Sequence, residues 1–203
     1  GAFAISWWLR LFALHHSTWF INSLAHTWGA RTFSSEQTAV DNFIISLLTF
    51  GEGYHNYHHT FANDYRNGIR WYHFDPTKWM IWGLEKLGLA SSLKRVNEYH
   101  IKERMLAEKR GEALEALKVS VIARKEEIGT TISNVSDEIS KKLAKARQQV
   151  EQYYAEKSNG TCKDKLKVYT EEIRSLQKSI RYDWKQFKQL YNYVMSQAEP
   201  VKE

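Results

Sequence analysis

The sequence predicts an all-α protein in two parts: membrane-embedded helices that carry a histidine cluster, then a long antiparallel helical hairpin. Residues 1–93 are rich in apolar segments and hold seven of the eight tryptophans and seven of the eight histidines. Residues 94–203 are charged and poor in aromatic residues, with apolar residues at broadly heptad spacing. The net charge of +6 belongs to this second part, because acidic and basic residues balance in residues 1–93.

The first element is a predicted transmembrane helix over about residues 2–28. This run is apolar and aromatic and contains neither proline nor glycine. As a helix it would be about 40 Å long, which exceeds the roughly 30 Å hydrocarbon core of a bilayer, and its tryptophans resemble interfacial anchors. A polar stripe predicts that one face meets the protein interior or a functional cavity; it comprises His15, Thr18, Asn22 and His26. A buried helix of a soluble protein is the alternative.

The central motif is the sequence Gly51–Phe61, GEGYHNYHHTF, in which three histidines fall within five residues. On a helix, His55, His58 and His59 would share one face, because positions i, i+3 and i+4 lie one turn apart. Neutral imidazole binds iron, zinc, copper and nickel, and the lack of a nearby cysteine disfavours a structural zinc site. Solvated surface histidines are the alternative, but the flanking aromatic residues would leave unpaired imidazoles in an apolar setting at a cost. The cluster therefore predicts a redox or hydrolytic metal site, with iron preferred.

The first helix could supply further ligands to this site. His26 lies at its end, and Asn22, one turn earlier, could reach the same metal directly or through a water. His15 lies about 16 Å back along the helix axis, too far to share a metal with His26. The glycines on either side of Glu52 predict a sharp bend into the histidine helix or a close approach of another backbone.

Shorter elements surround the motif. Residues 31–38 are polar and predict a loop, and the apolar run 41–50 is too short to span a bilayer, so we interpret it as a re-entrant or interfacial helix. Asp75 and Pro76 are typical of a helix start. The amphipathic segment of about residues 76–88 predicts an interfacial helix at a membrane surface, with a helix of a soluble core as the alternative.

Residues 94–203 predict a charged helical hairpin with its turn near residues 158–161, where the sequence is SNGT. Two apolar stripes would pack against each other and hold the two helices of the hairpin together. The first comprises Leu114, Leu117, Val121, Ile128, Ile132, Val135, Ile139, Leu143, Ala146 and Val150, and the second comprises Leu166, Tyr169, Ile173, Leu176, Ile180, Phe187, Leu190 and Val194. Interspersed acidic and basic residues are typical of a solvated coiled coil, and no motif or compact basic patch indicates nucleic-acid binding. The single Cys162 excludes a disulfide framework.

The motifs of the first part occur together in a specific order. Thr18–Gly29 reads TWFINSLAHTWG, the histidine motif Gly51–Phe61 follows, and then come Asp64–Arg66 and Arg70–Trp71. An isolated H-x-x-H-H would be a weak signal, but an N-S-x-A-H element followed by G-E-G-x-H-N-x-H-H is specific. In order and spacing, residues 1–93 closely resemble the end of the membrane fatty acid desaturases of the acyl-CoA (delta-9) type. One departure is Ala62, where that family has proline after the phenylalanine.

The resemblance implies a di-iron enzyme whose metals are held by histidines. His55, His58 and His59 match the third histidine box, His26 matches an additional ligand, and Asn22 matches an asparagine that reaches the metal through water. The implied reaction uses O2 to place a cis double bond in the acyl chain of an acyl-CoA or acyl-lipid. Electrons would come from a small carrier, cytochrome b5-like, ferredoxin or rubredoxin, that is reduced by an NAD(P)H-dependent reductase.

The resemblance also implies a domain organisation and a location. Residues 1–93 would be the carboxy-terminal part of a multi-pass membrane domain, in the endoplasmic reticulum or a bacterial inner membrane, with the histidine box and the hairpin of residues 94–203 on the cytoplasmic side. No histidine precedes His15, so two further histidine boxes of the family have no counterpart and the chain is expected to be inactive alone. The alternatives are a membrane-anchored scaffold that self-associates through residues 100–200, and a related di-iron lipid hydroxylase.

Overall fold

The structure is a computed structural model that describes residues 1–120 and 122–198. Within these ranges every regular element is a helix, which confirms the prediction of an all-α fold. The chain forms two compact units, Gly1–Val96 and Asn97–Glu203. The first unit holds the histidine cluster, and the second holds the long charged helices.

The described residues of the first unit form four α-helices and one 3₁₀ turn. In chain order these are α1 (Ala2–Ser23), the 3₁₀ turn Leu24–His26, α2 (Phe43–Leu48), α3 (His55–Thr60) and α4 (Pro76–Lys86). The side chain of Asn42 caps α2 by accepting a hydrogen bond from the backbone N–H of Ile44 at 2.8 Å. Asp75 caps α4 in the same way, accepting from the N–H of Lys78 at 2.9 Å. The predicted start of this helix at Asp75 and Pro76 is confirmed.

The helix predicted over residues 2–28 is shorter in the structure. α1 ends at Ser23, and the chain continues in the tighter 3₁₀ turn. No helix in the described part of the chain is long and apolar enough to cross a membrane. Arg10 and the polar stripe interrupt the apolar residues of α1, and this lowers the mean hydropathy of the helix.

Two buried charged side chains hold the loop between α3 and α4. The carboxylate of Asp75 accepts hydrogen bonds from the backbone N–H groups of Asn67 at 2.8 Å and Gly68 at 2.9 Å. The ammonium group of Lys78 donates to the carbonyl oxygens of Gly68 at 2.8 Å and Arg70 at 3.0 Å. These bonds satisfy backbone groups that have no partner in a regular element, and they tie the loop to the start of α4.

The second unit contains three long helices within its described residues: α5 (Glu98–Val119), α6 (Lys125–Ser158) and α7 (Lys163–Gln197). α6 and α7 form the predicted antiparallel hairpin, because Lys142 pairs with Asp183 at 2.6 Å and Glu156 pairs with Lys165 at 2.9 Å. The turn between them follows Ser158 and contains Gly160 at a φ of +72°, a conformation that glycine adopts without strain.

The hairpin interpretation omitted a third helix. α5 packs along both α6 and α7, and Leu106 on α5 lies in one apolar core with Leu143 on α6 and Phe187 on α7. The first predicted stripe is therefore divided between two helices: its residues up to Leu117 belong to α5, and those from Ile128 belong to α6. Val121 of that stripe lies outside the described residues.

The break between α5 and α6 has a local cause. Ser120 ends α5 by donating its backbone N–H to the carbonyl of Ala116 at 3.1 Å. Arg124, the residue before α6, has a φ of +62° in the left-handed region. This conformation reverses the chain, so two helices with one continuous apolar pattern lie side by side instead of end to end.

Candidate metal centre

The glycines on either side of Glu52 shape the approach to α3. Gly51 has a φ of +105°, which favours glycine. Gly53 packs so closely on α2 that a Cβ atom would lie 2.1 Å from the backbone nitrogen of Ser46 and 2.6 Å from the carbonyl oxygen of Asn42. Both predicted reasons for these glycines are confirmed, a bend at Gly51 and a close backbone approach at Gly53.

The structure brings together histidines from two separate segments. His55 and His59 lie one turn apart on α3, with ring centroids 4.3 Å apart, and His26 lies at the end of the 3₁₀ turn. The His26 ring is 4.9 Å from the His55 ring and 5.9 Å from the His59 ring. One ligand nitrogen from each of these three residues lies within 4.8 Å of the others. We refer to His26, His55 and His59 as the histidine cluster.

The other two predicted ligands, His58 and Asn22, are not among the three residues of the cluster. The ring of His58 is 6.1 Å from that of His55 and 5.8 Å from that of His59, and His58 is outside the group of nitrogens that lie within 4.8 Å of one another in the described chain. The side-chain nitrogen of Asn22 donates to the carbonyl oxygen of Thr18 at 3.0 Å. The amide group of Asn22 is thus turned back on its own helix.

Burial favours the neutral forms of His55 and His59. Burial, and then the neighbouring His59, His26 and His58, lowers the pKa of His55 to about 4. Burial also lowers the pKa of His59, and His58 and His26 act in the same direction. Neutral imidazoles keep a lone pair on one nitrogen, which is the form that binds metals.

The hydrogen bonding of the cluster fits a bound metal. Nε2 of His55 lies 3.0 Å from Nε2 of His59, so one of these nitrogens donates to the other. Nδ1 of His55 is buried and has no hydrogen-bond partner among the residues that the structure describes. A buried polar atom without a partner is costly, and an all-imidazole donor set with a free buried nitrogen suits iron, zinc, copper or nickel.

Sequence reasoning missed a group of buried hydrogen bonds that anchors α3 through the side chain of Tyr57. The buried hydroxyl of Tyr57 donates to Asp64 at 2.8 Å, and Asp64 also receives two hydrogen bonds from the guanidinium of Arg66, at 2.9 and 2.6 Å. The backbone N–H of Val96 donates to the same carboxylate at 2.8 Å. Asp64 and Arg66 stood out in the sequence only as part of the family resemblance, because nothing in their spacing shows that they contact Tyr57.

The comparisons with known proteins agree with this geometry. The family model for fatty acid desaturases matches residues 1–90. This part of the chain is similar to the fatty acid desaturase family. The curated relatives include acyl-CoA desaturase 1 of Saccharomyces cerevisiae, which is 43% identical over 106 residues, and a probable acyl-CoA desaturase of Schizosaccharomyces pombe, which is 46% identical over 100 residues. The sn-2 palmitoyl-lipid 9-desaturase of a Nostoc species is 45% identical over 85 residues.

These matches cover much of this desaturase segment but little of each relative. The aligned regions make up 52%, 49% and 42% of this chain, and 21%, 21% and 30% of the three relatives in the same order. The chain thus spans between a fifth and a third of the length of these proteins. The resemblance to the acyl-CoA (delta-9) desaturases predicted from the motifs is confirmed.

Proposed function

We propose that this chain supplies part of the catalytic domain of a fatty acid desaturase, an O2-dependent oxidoreductase that inserts a cis double bond into an acyl-CoA or acyl-lipid. The observation that carries this proposal is the convergence of His26 with His55 and His59, within a segment that is similar to the desaturase family. The specific form of the proposal is that the double bond is placed at the delta-9 position of the acyl chain. The name of the cyanobacterial relative, a palmitoyl-lipid 9-desaturase, supports this position.

The chain's own residues have defined roles in this proposal. His26, His55 and His59 would hold iron through ring nitrogens, His58 would add a ligand from the helix of His55 and His59, and Asn22 would contribute through a water. When bound, a di-iron pair supplies the dioxygen chemistry that an unactivated C–H bond requires. Burial of His55, which is 7% exposed, excludes water from one side of the site and lowers the pKa of His55 to about 4.

The reaction also requires further metal ligands and a source of electrons, which this chain does not supply in our proposal. We propose that further histidine ligands come from residues outside this chain, so that the chain alone does not turn over substrate. A small electron carrier and its NAD(P)H-dependent reductase supply the electrons. α1 exposes Phe3 by 81% and Trp8 by 71%, and apolar side chains so exposed fit a position against lipid or against other membrane-bound parts of the enzyme, with the histidine cluster on its cytoplasmic side.

A functional test compares matched histidine variants of the desaturase that contains this chain. The enzyme is expressed in cells that cannot make unsaturated fatty acids, and their lipids are analysed by gas chromatography. We expect restored double bonds with the unchanged sequence and with His15→Ala, which alters a histidine far along α1. We expect loss of more than 90% of the product with His55→Ala, because one lost nitrogen leaves the metal under-coordinated. If the enzyme with the unchanged sequence restores no double bonds to the cells' lipids, the proposal is contradicted. A hydroxylated lipid product would favour the alternative of a lipid hydroxylase.

A second candidate function concerns the three-helix unit. The desaturase family model ends at residue 90, and α7 beyond it leaves Tyr182 65% exposed and Tyr193 49% exposed. Exposed aromatic side chains on a regular helix are suited to pairing with another protein or with a second copy of this chain. This supports a proposal that residues 100–200 serve as an interaction scaffold attached to the catalytic domain.

A further inference from the structure

The segment Phe33–Asp41 contacts both elements that carry the histidine cluster. On the side of the 3₁₀ turn, the hydroxyl of Thr38 lies 2.8 Å from Nδ1 of His26. The backbone N–H of Val40 donates to the carbonyl oxygen of Ala25, the residue before His26, at 2.8 Å. One bond therefore orients the imidazole, and the other fixes the backbone beside it.

On the side of α3, the same segment surrounds the side chain of Asn56. This residue is completely buried and lies directly after His55. Its Oδ1 accepts hydrogen bonds from the backbone N–H groups of Phe33 at 2.8 Å and Ser34 at 3.3 Å. Its Nδ2 donates to the carbonyl oxygens of Ser34 at 2.8 Å and Ala39 at 2.9 Å. All four hydrogen-bonding positions of the amide are thus used, all of them on this segment.

The bond between Thr38 and His26 decides which nitrogen faces the cluster. Because Nδ1 of His26 is occupied by the Thr38 hydroxyl, Nε2 is the nitrogen left for a metal. When Nδ1 carries the proton and donates it to the hydroxyl oxygen, the lone pair of the neutral ring is on Nε2. Metal-binding histidines are held in this way by a partner on the second nitrogen, which fixes the tautomer and the plane of the ring.

We propose that the segment Phe33–Asp41 is a bracket that sets the separation and orientation of the metal-binding histidines, with Thr38 and Asn56 as its two positioning residues. This inference rests on the metal-binding role of His26 and His55 in the proposed function. The bracket is needed because His26 and His55 belong to separate segments, and no hydrogen bond between these two rings is formed in the described structure.

Thr38 offers a clean test, because its side chain is exposed and a change there leaves the core intact. Thr38→Val keeps the shape and removes the hydroxyl, whereas Thr38→Ser keeps the hydroxyl. Thr27→Val is the matched control: Thr27 is next to His26, but its hydroxyl donates to the carbonyl of Ser23 at 3.1 Å and not to the ring. The four proteins, unchanged and variant, are titrated as full chains with Co²⁺, and binding is followed by visible absorbance.

We expect Thr38→Val to weaken Co²⁺ binding by about tenfold or more, the effect typical of losing a partner of a metal-binding histidine. Thr38→Ser and Thr27→Val should stay within about twofold of the unchanged chain on the same reasoning. Equal binding by Thr38→Val would overturn the bracket and leave the proposed function standing. Failure of the unchanged chain to bind Co²⁺ would also overturn the bracket, because it would show that this segment does not hold the three histidines ready for a metal. The proposed function, which takes further ligands from outside this chain, is tested separately by the lipid analysis.

A measurement without metal checks the same point. Long-range ¹H–¹⁵N NMR of the histidine rings reports which nitrogen carries the proton. We expect His26 to carry it on Nδ1 in the unchanged chain and in Thr38→Ser, and to become a mixture of tautomers in Thr38→Val. A proton on Nε2 of His26 in the unchanged chain would contradict the proposal.

Asn56 is tested by Asn56→Asp, which keeps the accepting oxygen and loses both donated hydrogen bonds. We expect weaker Co²⁺ binding, because α3 is then released from the carbonyl oxygens of Ser34 and Ala39. Unchanged binding in a folded Asn56→Asp chain would remove Asn56 from the bracket. The Thr38 variants decide the proposal if this buried substitution prevents folding.

Discussion

At the scale of single residues, the partly buried carboxylate of Asp41 lowers the stability of the folded chain when it is ionised. It forms isolated bridges with Ala30 and Tyr54, and its carboxylate accepts the backbone N–H of Tyr57 at 3.1 Å. Burial raises the pKa of Asp41 to about 6, although hydrogen bonds from the backbone of Tyr57 and Asn56 act in the opposite direction. The folded state therefore favours the protonated carboxyl more than the unfolded state does.

The change Asp41→Asn should remove a pH dependence of stability. The pKa of Asp41 in the folded chain, about 6, lies above the ordinary value of 3.8 for an aspartate. The folded chain therefore binds more protons between these pH values, and the Asp41 contribution to the free energy of unfolding falls as pH rises through this window. Asparagine can still accept the bond from Tyr57 but never ionises. We expect Asp41→Asn to be more stable at pH 7, by about 2–3 kcal/mol at most, with the advantage shrinking toward pH 4.

Urea unfolding followed by tryptophan fluorescence measures this difference, because seven of the eight tryptophans lie in the first unit. The two proteins are compared at each pH, so that the titration of other groups cancels. A stability difference that stays constant from pH 4 to pH 7 would contradict the assigned pKa.

At the scale of elements, the spacing of apolar residues could not reveal that the chain reverses between α5 and α6. The apolar positions from Leu114 to Val150 continue through the break with little change, so the pattern alone indicates one helix. The reversal depends on the left-handed conformation of Arg124, with φ +62°. No sequence signal marks it, because arginine is not a residue that favours this region.

The change Arg124→Gly should stabilise the three-helix unit by about 1 kcal/mol, because glycine adopts a positive φ without the steric cost that other residues have. Arg124→Ala is the control: it also removes the exposed ion pair with Glu127, 3.6 Å long, but keeps the strained backbone. Thermal unfolding followed by the fluorescence of Trp184, the only tryptophan of this unit, would show the effect. A higher unfolding temperature for both variants would point to the side chain of Arg124 and not to its backbone.

At the scale of the whole molecule, the helical unit Asn97–Glu203 has an apolar core of its own. The apolar core of the helical unit is built from residues between Tyr99 and Val194 alone. The ion pair of Lys142 with Asp183 at 2.6 Å and the bond from Tyr191 to Glu112 at 2.6 Å are also internal to it. A unit with its own core and its own polar contacts meets the requirements for folding by itself.

Residues 97–203 expressed alone should therefore be helical and unfold cooperatively. Circular dichroism checks the helix content, and analytical ultracentrifugation gives the mass of the particle. A disordered chain would contradict the independence of the unit. A helical dimer that becomes monomeric with Tyr182→Glu would support the scaffold, and a helical monomer would remove self-association through residues 100–200.

The sequence by itself determined the helical class, the histidine motif on α3, the start of α4 at Asp75 and the resemblance of residues 1–90 to the desaturases, and with it the choice of His26 as a partner of this motif. The first three properties depend on neighbours within one or two helical turns, and such spacing is visible along the chain. Only the tertiary structure decided that Thr38 contacts His26, that Asn56 bonds to the segment Phe33–Asp41, and that α5 turns back on α6. These results depend on chain reversals and on backbone hydrogen bonds between distant segments, which the local pattern of side chains leaves open.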